Sequence, residues 1–193
     1  MALVRLNAQT YNLELLSYHG EDVYISGNVE IYRPHLVGVG NHVAIDSGFY
    51  STCSALIGDY IHIAPYVSVT GGENGRFLMG DFCTISTGSH IICGTDGHLG
   101  EGLVGPTVPE WARDELNFEP IVFEDFVNIA TNVTVVAGVK LAQGTVIGAN
   151  SFVNKSTEPW TIYVGSPAKP LKARRKDKMS EYAKRLGYDI KVK

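Results

Sequence analysis

From Val39 onward an apolar residue returns at every sixth position: Val39, Ile45, Ile57, Ile63 and Val69, with Ser51 the single miss. The count resumes at Met79, Ile85 and Ile91, and again from Phe123 through Ile129, Val135, Leu141, Ile147 and Val153. The following residue is mostly small or polar, as at Gly40, Asp46, Gly58, Ala64, Gly80, Ala130, Ala142 and Gly148. A period of six matches neither the 3.6 residues of a helical turn nor the alternation of a hairpin sheet. It matches a chain wound into triangular coils of three short strands, each side turning one apolar residue inward. The expected class is therefore an all-β repeat, a parallel β-helix of six-residue units.

A chain of 193 residues suffices for one well-filled core. We read residues 1–193 as a single domain: an N-terminal segment over 1–22, coils over 23–168 and a C-terminal helix over 171–187. That helix, with Met179, Tyr182, Ala183 and Leu186 on one face, is expected to cap the open end of the stack. No basic stretch followed by an apolar one opens the chain, and no window approaches the roughly 18 apolar residues of a membrane span. Cys53, Cys83 and Cys93 form no C-x-x-C pair and read as buried reduced thiols, which points to the cytoplasm.

Charge is segregated. The first 168 residues carry six Lys/Arg against seventeen Asp/Glu, whereas Lys169 to Lys193 carry ten against three. A basic end on an acidic body suits phosphorylated small molecules, a membrane face or nucleic acid. No aromatic and basic platform accompanies it, which argues against nucleic acid.

The period breaks twice. Between Val69 and Met79 the step is ten, and Gly71-Gly72-Glu73-Asn74-Gly75 leaves the coil as a surface loop. Between Ile91 and Phe123 the step is 32, with register lost over about 94–120 and a short helical turn expected in 109–116. Long excursions from a regular scaffold tend to carry function.

The segments Ile57-Gly-Asp-Tyr-Ile-His-Ile-Ala-Pro-Tyr-Val, Val127-Asn-Ile-Ala-Thr-Asn-Val-Thr-Val-Val-Ala-Gly-Val and Val146-Ile-Gly-Ala-Asn-Ser-Phe-Val-Asn-Lys share one pattern. With the closing Val164-Gly-Ser-Pro-Ala-Lys-Pro-Leu-Lys they resemble the hexapeptide-repeat acyltransferases, in particular sugar O-acetyltransferases of the galactoside acetyltransferase branch. The resemblance implies a left-handed parallel β-helix, a homotrimer and acetyl-CoA bound between adjacent subunits. It also implies a catalytic histidine in the loop that interrupts the coils, which here falls on His98 in Cys93-Gly-Thr-Asp-Gly-His-Leu-Gly.

Chemistry supports a histidine in that role. Acetyl transfer from a thioester needs a base near neutral pH to take a proton from an acceptor hydroxyl or ammonium. The developing oxyanion needs a backbone N–H, which Gly94 or Gly97 can offer. His90 is the second candidate, and a histidine packed between subunits reads equally well there. His62 occupies the same repeat position two coils earlier; His19, His35 and His42 receive no role. Asp96 and Trp111 are the acceptor candidates, the ring able to stack on a sugar face. The resemblance places coenzyme A on Thr131, Ala149, Asn154, Lys155, Lys169 and Lys172, the lysines serving as point charges for phosphates.

The leading expectation is an acetyl-CoA-dependent transferase acting on a sugar hydroxyl in surface polysaccharide synthesis, with no metal. Transfer to the amine of a nucleotide-linked amino sugar is the alternative. Two further classes are a γ-carbonic-anhydrase-like enzyme, which would need His62, His90 and His98 on one zinc, and a non-catalytic trimeric scaffold.

Overall fold

The computed structural model describes residues 9–191 and 193. Strands of two to five residues wind into a parallel β-helix of about seven turns with three faces. The first face stacks Tyr18–His19, Val37–Val39, Ser54–Ile57, Arg76–Met79, Ile121–Phe123 and Lys140–Leu141. The second runs from Tyr24–Ile25 through Val43–Ile45, Ile61–Ile63, Thr84–Ile85, Asn128–Ile129 and Val146–Ile147 to Thr161–Val164. The third holds Glu30–Ile31, Tyr50–Ser51, Ser68–Thr70, His90–Ile92, Thr134–Val136 and Phe152–Val153.

Register explains the period. Ile45, Ile63, Ile85, Ile129 and Ile147 are direct partners down the second face, and each is at most 1% exposed. Each such side chain is worth about 1.5–3 kcal/mol of burial, so slipping one coil by one residue would turn that coil's inward side chains outward on all three faces. Ser51 keeps the inward position despite its polarity; it is buried and donates to the Cys53 carbonyl at 3.4 Å.

The corner between the first and second faces carries a repeated Gly-Asx-aromatic signature. Asn41, Asp59, Asp81 and Asp125 succeed one another at separations of 18, 22 and 44 residues. In each step the later carboxylate accepts the backbone N–H of the earlier residue, at 2.7, 2.8 and 3.0 Å. The residues that follow them, His42, Tyr60, Phe82 and Phe126, and Trp160 after Pro159 at the same corner, all have positive φ between 51° and 63°. That conformation is unfavourable for side-chain-bearing residues. Here stacking opposes the cost: Tyr60, Phe82 and Phe126 lie nearly parallel at 5.1 and 5.3 Å, and Trp160 follows at 5.6 Å. Gly144 completes the column without a ring, because a Cβ there would stand 2.4 Å from the Trp160 indole.

Two expectations for the C-terminus are corrected. The helix is shorter than 171–187, spanning Asp177–Arg185, because Lys169–Ala173 pairs antiparallel with Thr161–Val164 and closes the edge of the second face. Nor does the helix cap the end of the stack. Ala183 and Met179 pack against Phe126 and Trp160 along the aromatic corner, where the rings leave an apolar strip to cover. The chain then runs back toward the early coils, and Tyr188 meets Tyr60 and Phe82 edge-on at 5.6 and 5.1 Å. Arg174 anchors the turn with hydrogen bonds to the carbonyls of Phe126 and Gly144 and to Asn128 Oδ1, at 2.6, 2.9 and 2.7 Å.

Candidate active site

Both interruptions of the period leave the coil at one corner, between the third and first faces. The 18 residues of a full coil grow by four in one turn and by 26 in another. The longer excursion starts and ends in an antiparallel pair, Gly94–Asp96 with Leu116–Phe118, and carries a single helical turn at Glu110–Ala112. Gly94 lies beneath the Phe118 ring, where a Cβ would come within 2.4 Å. Gly71, at φ +152°, abuts the backbone of Cys93 and Gly94, so the two excursions touch main chain to main chain.

Between them lies a cavity of about 190 Å³ whose lining includes Gly71, Gly72, Thr95, Asp96, Arg113 and Phe118. Asp96 is half-buried, and its Oδ1 accepts the N–H of Gly105 at 3.4 Å. The cavity thus offers one carboxylate, one hydroxyl, a guanidinium and glycine edges where main chain is accessible. Below it, Cys53 and Cys93 are free, buried and share a thiol hydrogen bond; donation from Cys93 pushes its own pKa up and lowers that of Cys53.

The sequence-derived candidates divide. Asp96 lines the cavity. His98 is exposed at φ +55°, and its Nε2 lies 3.1 Å from Thr95 Oγ1, so it reaches the cavity through the threonine hydroxyl. His90 projects from the third face with Nδ1 2.8 Å from Ser68 Oγ, at the far end of its strand from the excursions. His62 pairs with Asp46 at 3.0 Å on the second face. Those three histidines therefore keep separate partners, and among the described residues no group of three metal-type ligands converges. Trp111 is 89% exposed and lies outside the cavity lining.

The six coenzyme A candidates do not gather at one place in the protomer. Thr131 and Ala149 follow one another on the corner between the second and third faces, joined by Asn150 N–H to Thr131 carbonyl at 3.0 Å. Ala149 is exposed and small, leaving the main chain open to a long, thin ligand. Asn154 and Lys155 occupy the opposite corner, below the excursions, while Lys169 and Lys172 lie on the terminal strand. All four are exposed.

Sequence reasoning did not single out Thr95, Gly71, Gly72, Arg113 or Phe118. The break of period at Gly71-Gly72 was a usable signal, since a second excursion on the same corner must face the first.

No family model matches the chain. Relatives do. A dTDP-4-amino-4,6-dideoxy-D-glucose acyltransferase of Escherichia coli is 33% identical over 162 residues, 81% of this chain and 82% of that protein. A chloramphenicol acetyltransferase of Agrobacterium fabrum is 31% identical over 77% of this chain and 72% of that protein. Among solved structures, a variant of AntD, an N-acyltransferase from Bacillus cereus in complex with dTDP-4-amino-4,6-dideoxyglucose and coenzyme A, superimposes with a TM-score of 0.87. It is 29% identical, and the match covers 94% of this chain and 99% of that one. Repeat, corner excursions and these relatives together place the chain in the hexapeptide-repeat acyltransferase family.

Proposed function

We propose that this acyltransferase moves an acetyl or similar small acyl group from coenzyme A to the amino group of a nucleotide-linked amino sugar. The observation that carries the reading is the cavity between the two excursions, with Asp96 on its wall. A carboxylate at that position favours an amine over a hydroxyl, because it can hold the ammonium and the attacking neutral amine alike. The relatives that cover most of this chain's length include an enzyme named for a dTDP-amino sugar and a structure holding one. Transfer to a sugar hydroxyl is the second reading, and the same cavity would serve it.

Coenzyme A supplies the acyl group as a thioester and departs as the thiol. The chain's own work is to place and deprotonate the acceptor. Asp96 fixes the amine, and His98, linked through Thr95, takes the proton that the ammonium must lose before attack. Of the two N–H protons then left, one stays on the amide nitrogen. The other leaves as the C–N bond forms and the C–S bond breaks and is delivered to the sulfur, so the balance closes without an outside reagent. Gly71 and Gly72 give their N–H groups to Thr52 Oγ1, Gly105 gives its own to Asp96 and Gly97 bonds the Glu115 carbonyl. Gly94 is therefore the lining glycine assigned to the carbonyl oxygen as charge develops on it.

We place the donor in a groove between protomers of a homotrimer. The separation of Thr131 and Ala149 from Asn154 and Lys155 onto two corners supports this, since a neighbour can bring one corner against the other. Three buried free thiols fit a reducing compartment, the cytoplasm. Incubating the protein with acetyl-CoA and either a dTDP-linked 4-amino sugar or its 4-hydroxy counterpart tests the reading by thiol release and product mass. Acylation of the hydroxy compound alone would overturn it.

A further inference from the structure

The acidic body of this protein places its few arginines together. Between residues 9 and 168 the basic side chains are Arg33, Arg76, Arg113, Lys140 and Lys155. Lys140 is bound to Glu124 at 2.7 Å. The three arginines lie at the corner from which both excursions leave: Arg113 lines the cavity, Arg76 begins the strand after the short excursion, and Arg33 sits on the coils before it. None of the three makes an ion pair among the described residues.

Arg33 is tied to the cavity wall by a continuous set of hydrogen bonds. Its Nη1 donates to the Thr52 carbonyl at 2.7 Å, and Thr52 Oγ1 accepts the N–H groups of Gly71 and Gly72, each at 3.2 Å. Those glycines line the same cavity as Asp96. One carbonyl contact fixes the half-buried guanidinium and leaves most of its N–H donors unused. The preceding residue, Tyr32, is 63% exposed and meets Tyr50 edge-on at 5.6 Å. An exposed ring braced by Tyr50 and a cation held by Thr52 thus occupy consecutive positions of the chain at this corner. From the Tyr32 coil to that of Ile92, which leads into the longer excursion, is three strand spacings, roughly 15 Å.

We propose that Arg33 and Tyr32 form the nucleotide half of the acceptor site: the guanidinium binds the diphosphate and the Tyr32 ring stacks on the pyrimidine base. The inference rests on the acceptor being nucleotide-linked, and it assigns the residues that read the nucleotide. An extended nucleoside diphosphate sugar spans such a distance, with its sugar reaching Asp96. Arginine suits the diphosphate because its planar fork meets two phosphate oxygens at once. A purely structural Arg33 would need only its carbonyl contact, which a lysine can also make.

The test uses the full-length protein and thymidine diphosphate as probe, titrated by calorimetry, with thymidine and coenzyme A as comparison ligands. Arg33→Ala is expected to weaken thymidine diphosphate about tenfold or more and to leave thymidine unchanged. Arg33→Lys should recover only part of the loss. Tyr32→Ala is expected to weaken both nucleotide and nucleoside about tenfold, with Tyr32→Phe close to wild type. Coenzyme A affinity and the thermal midpoint should hold in all four variants. If wild type acylates a dTDP-linked amino sugar and the variants show an unchanged KM for it, the subsite lies elsewhere and the functional reading stands. If thymidine diphosphate fails to bind wild type and free amino sugars are acylated as well as linked ones, the functional reading falls too.

Discussion

Tyr188 donates its hydroxyl hydrogen to Asp59 Oδ2 across 2.5 Å, although 129 residues separate them in the chain. The same carboxylate accepts the Asn41 backbone N–H and side-chain amide, at 2.7 and 3.1 Å. A single aspartate therefore joins the C-terminal segment to the corner ladder of the early coils. The contact pushes the tyrosine up to about 12, chiefly through that hydrogen bond and burial. Burial acts to raise Asp59, yet its hydrogen bonds from Tyr188 and Asn41 leave it below the usual carboxylate range.

Tyr188→Phe keeps the ring contacts with Tyr60 and Phe82 and removes only the hydroxyl. We expect a loss of about 1–2 kcal/mol, read by urea denaturation. A variant as stable as wild type would mean that the C-terminal segment is held by its apolar contacts alone. Arg174→Ala removes hydrogen bonds to two carbonyls and Asn128 together and should cost more, about 2–4 kcal/mol by the same measurement.

Glu124 sets an acid limit. Burial alone would raise its pKa, but hydrogen bonds from Lys140, Lys193 and the Gln143 N–H outweigh it and hold the group down to about 2. A depressed carboxylate contributes stability that is present above its unfolded value near 4.5 and is lost as pH falls toward 2. Both lysines are about half exposed, so solvent screening reduces the contribution to about 1–2 kcal/mol. Thermal midpoints of wild type and Glu124→Gln should therefore differ at pH 6, draw together as pH falls below 4.5 and converge only at about pH 2.

Gly144→Val tests the aromatic corner. The position has φ +72°, and any Cβ would press on the Trp160 ring. Backbone strain and displaced packing should together cost about 2–4 kcal/mol, with tryptophan fluorescence shifted to the red as the indole gains water. Unaltered fluorescence would show that the column can absorb a side chain there.

The chemistry is checked at two residues. Asp96→Asn should lower kcat at least about tenfold on an amino acceptor, because a charged hydrogen bond becomes a neutral one. His98→Ala should cost about 10²–10⁴ in kcat and remove the acidic limb of the pH profile, with coenzyme A affinity retained. Retention of that limb in the variant would transfer the base role to another group. For Lys169→Ala with Lys172→Ala, coenzyme A should bind more weakly, and its affinity should fall less steeply with salt than in wild type.

Much of the architecture was legible because the six-residue period is a local property. Ile63 faces inward for the same reason as Ile85, and no distant residue has to be known to see it. The Gly-Asp-Tyr and Gly-Asp-Phe triplets at Gly58 and Gly80 were equally visible, yet their meaning was not. Only stacked coils reveal that Asp81 binds the Asp59 N–H and that Tyr60 lies on Phe82. The helix was misplaced for a related reason. Its amphipathic face showed that it must pack, and the aromatic strip that covers it comes from residues far apart in sequence. At the site, the loss of period marked both excursions, and Asp96 and His98 were readable as reactive types. That Thr95 stands between His98 and the cavity was not.

By itself the sequence determined the winding, because a buried position that recurs every sixth residue allows no other regular register; the structure adds that the residue two before it, as at Val43, Ile61, Val67 and Val133, is buried as well. It also determined where the winding is broken. The tertiary structure alone decided what those breaks face. Stacking brings the turn at Gly71 against the hairpin at Gly94 and sets Arg33 behind that wall, through hydrogen bonds between coils that no local pattern encodes.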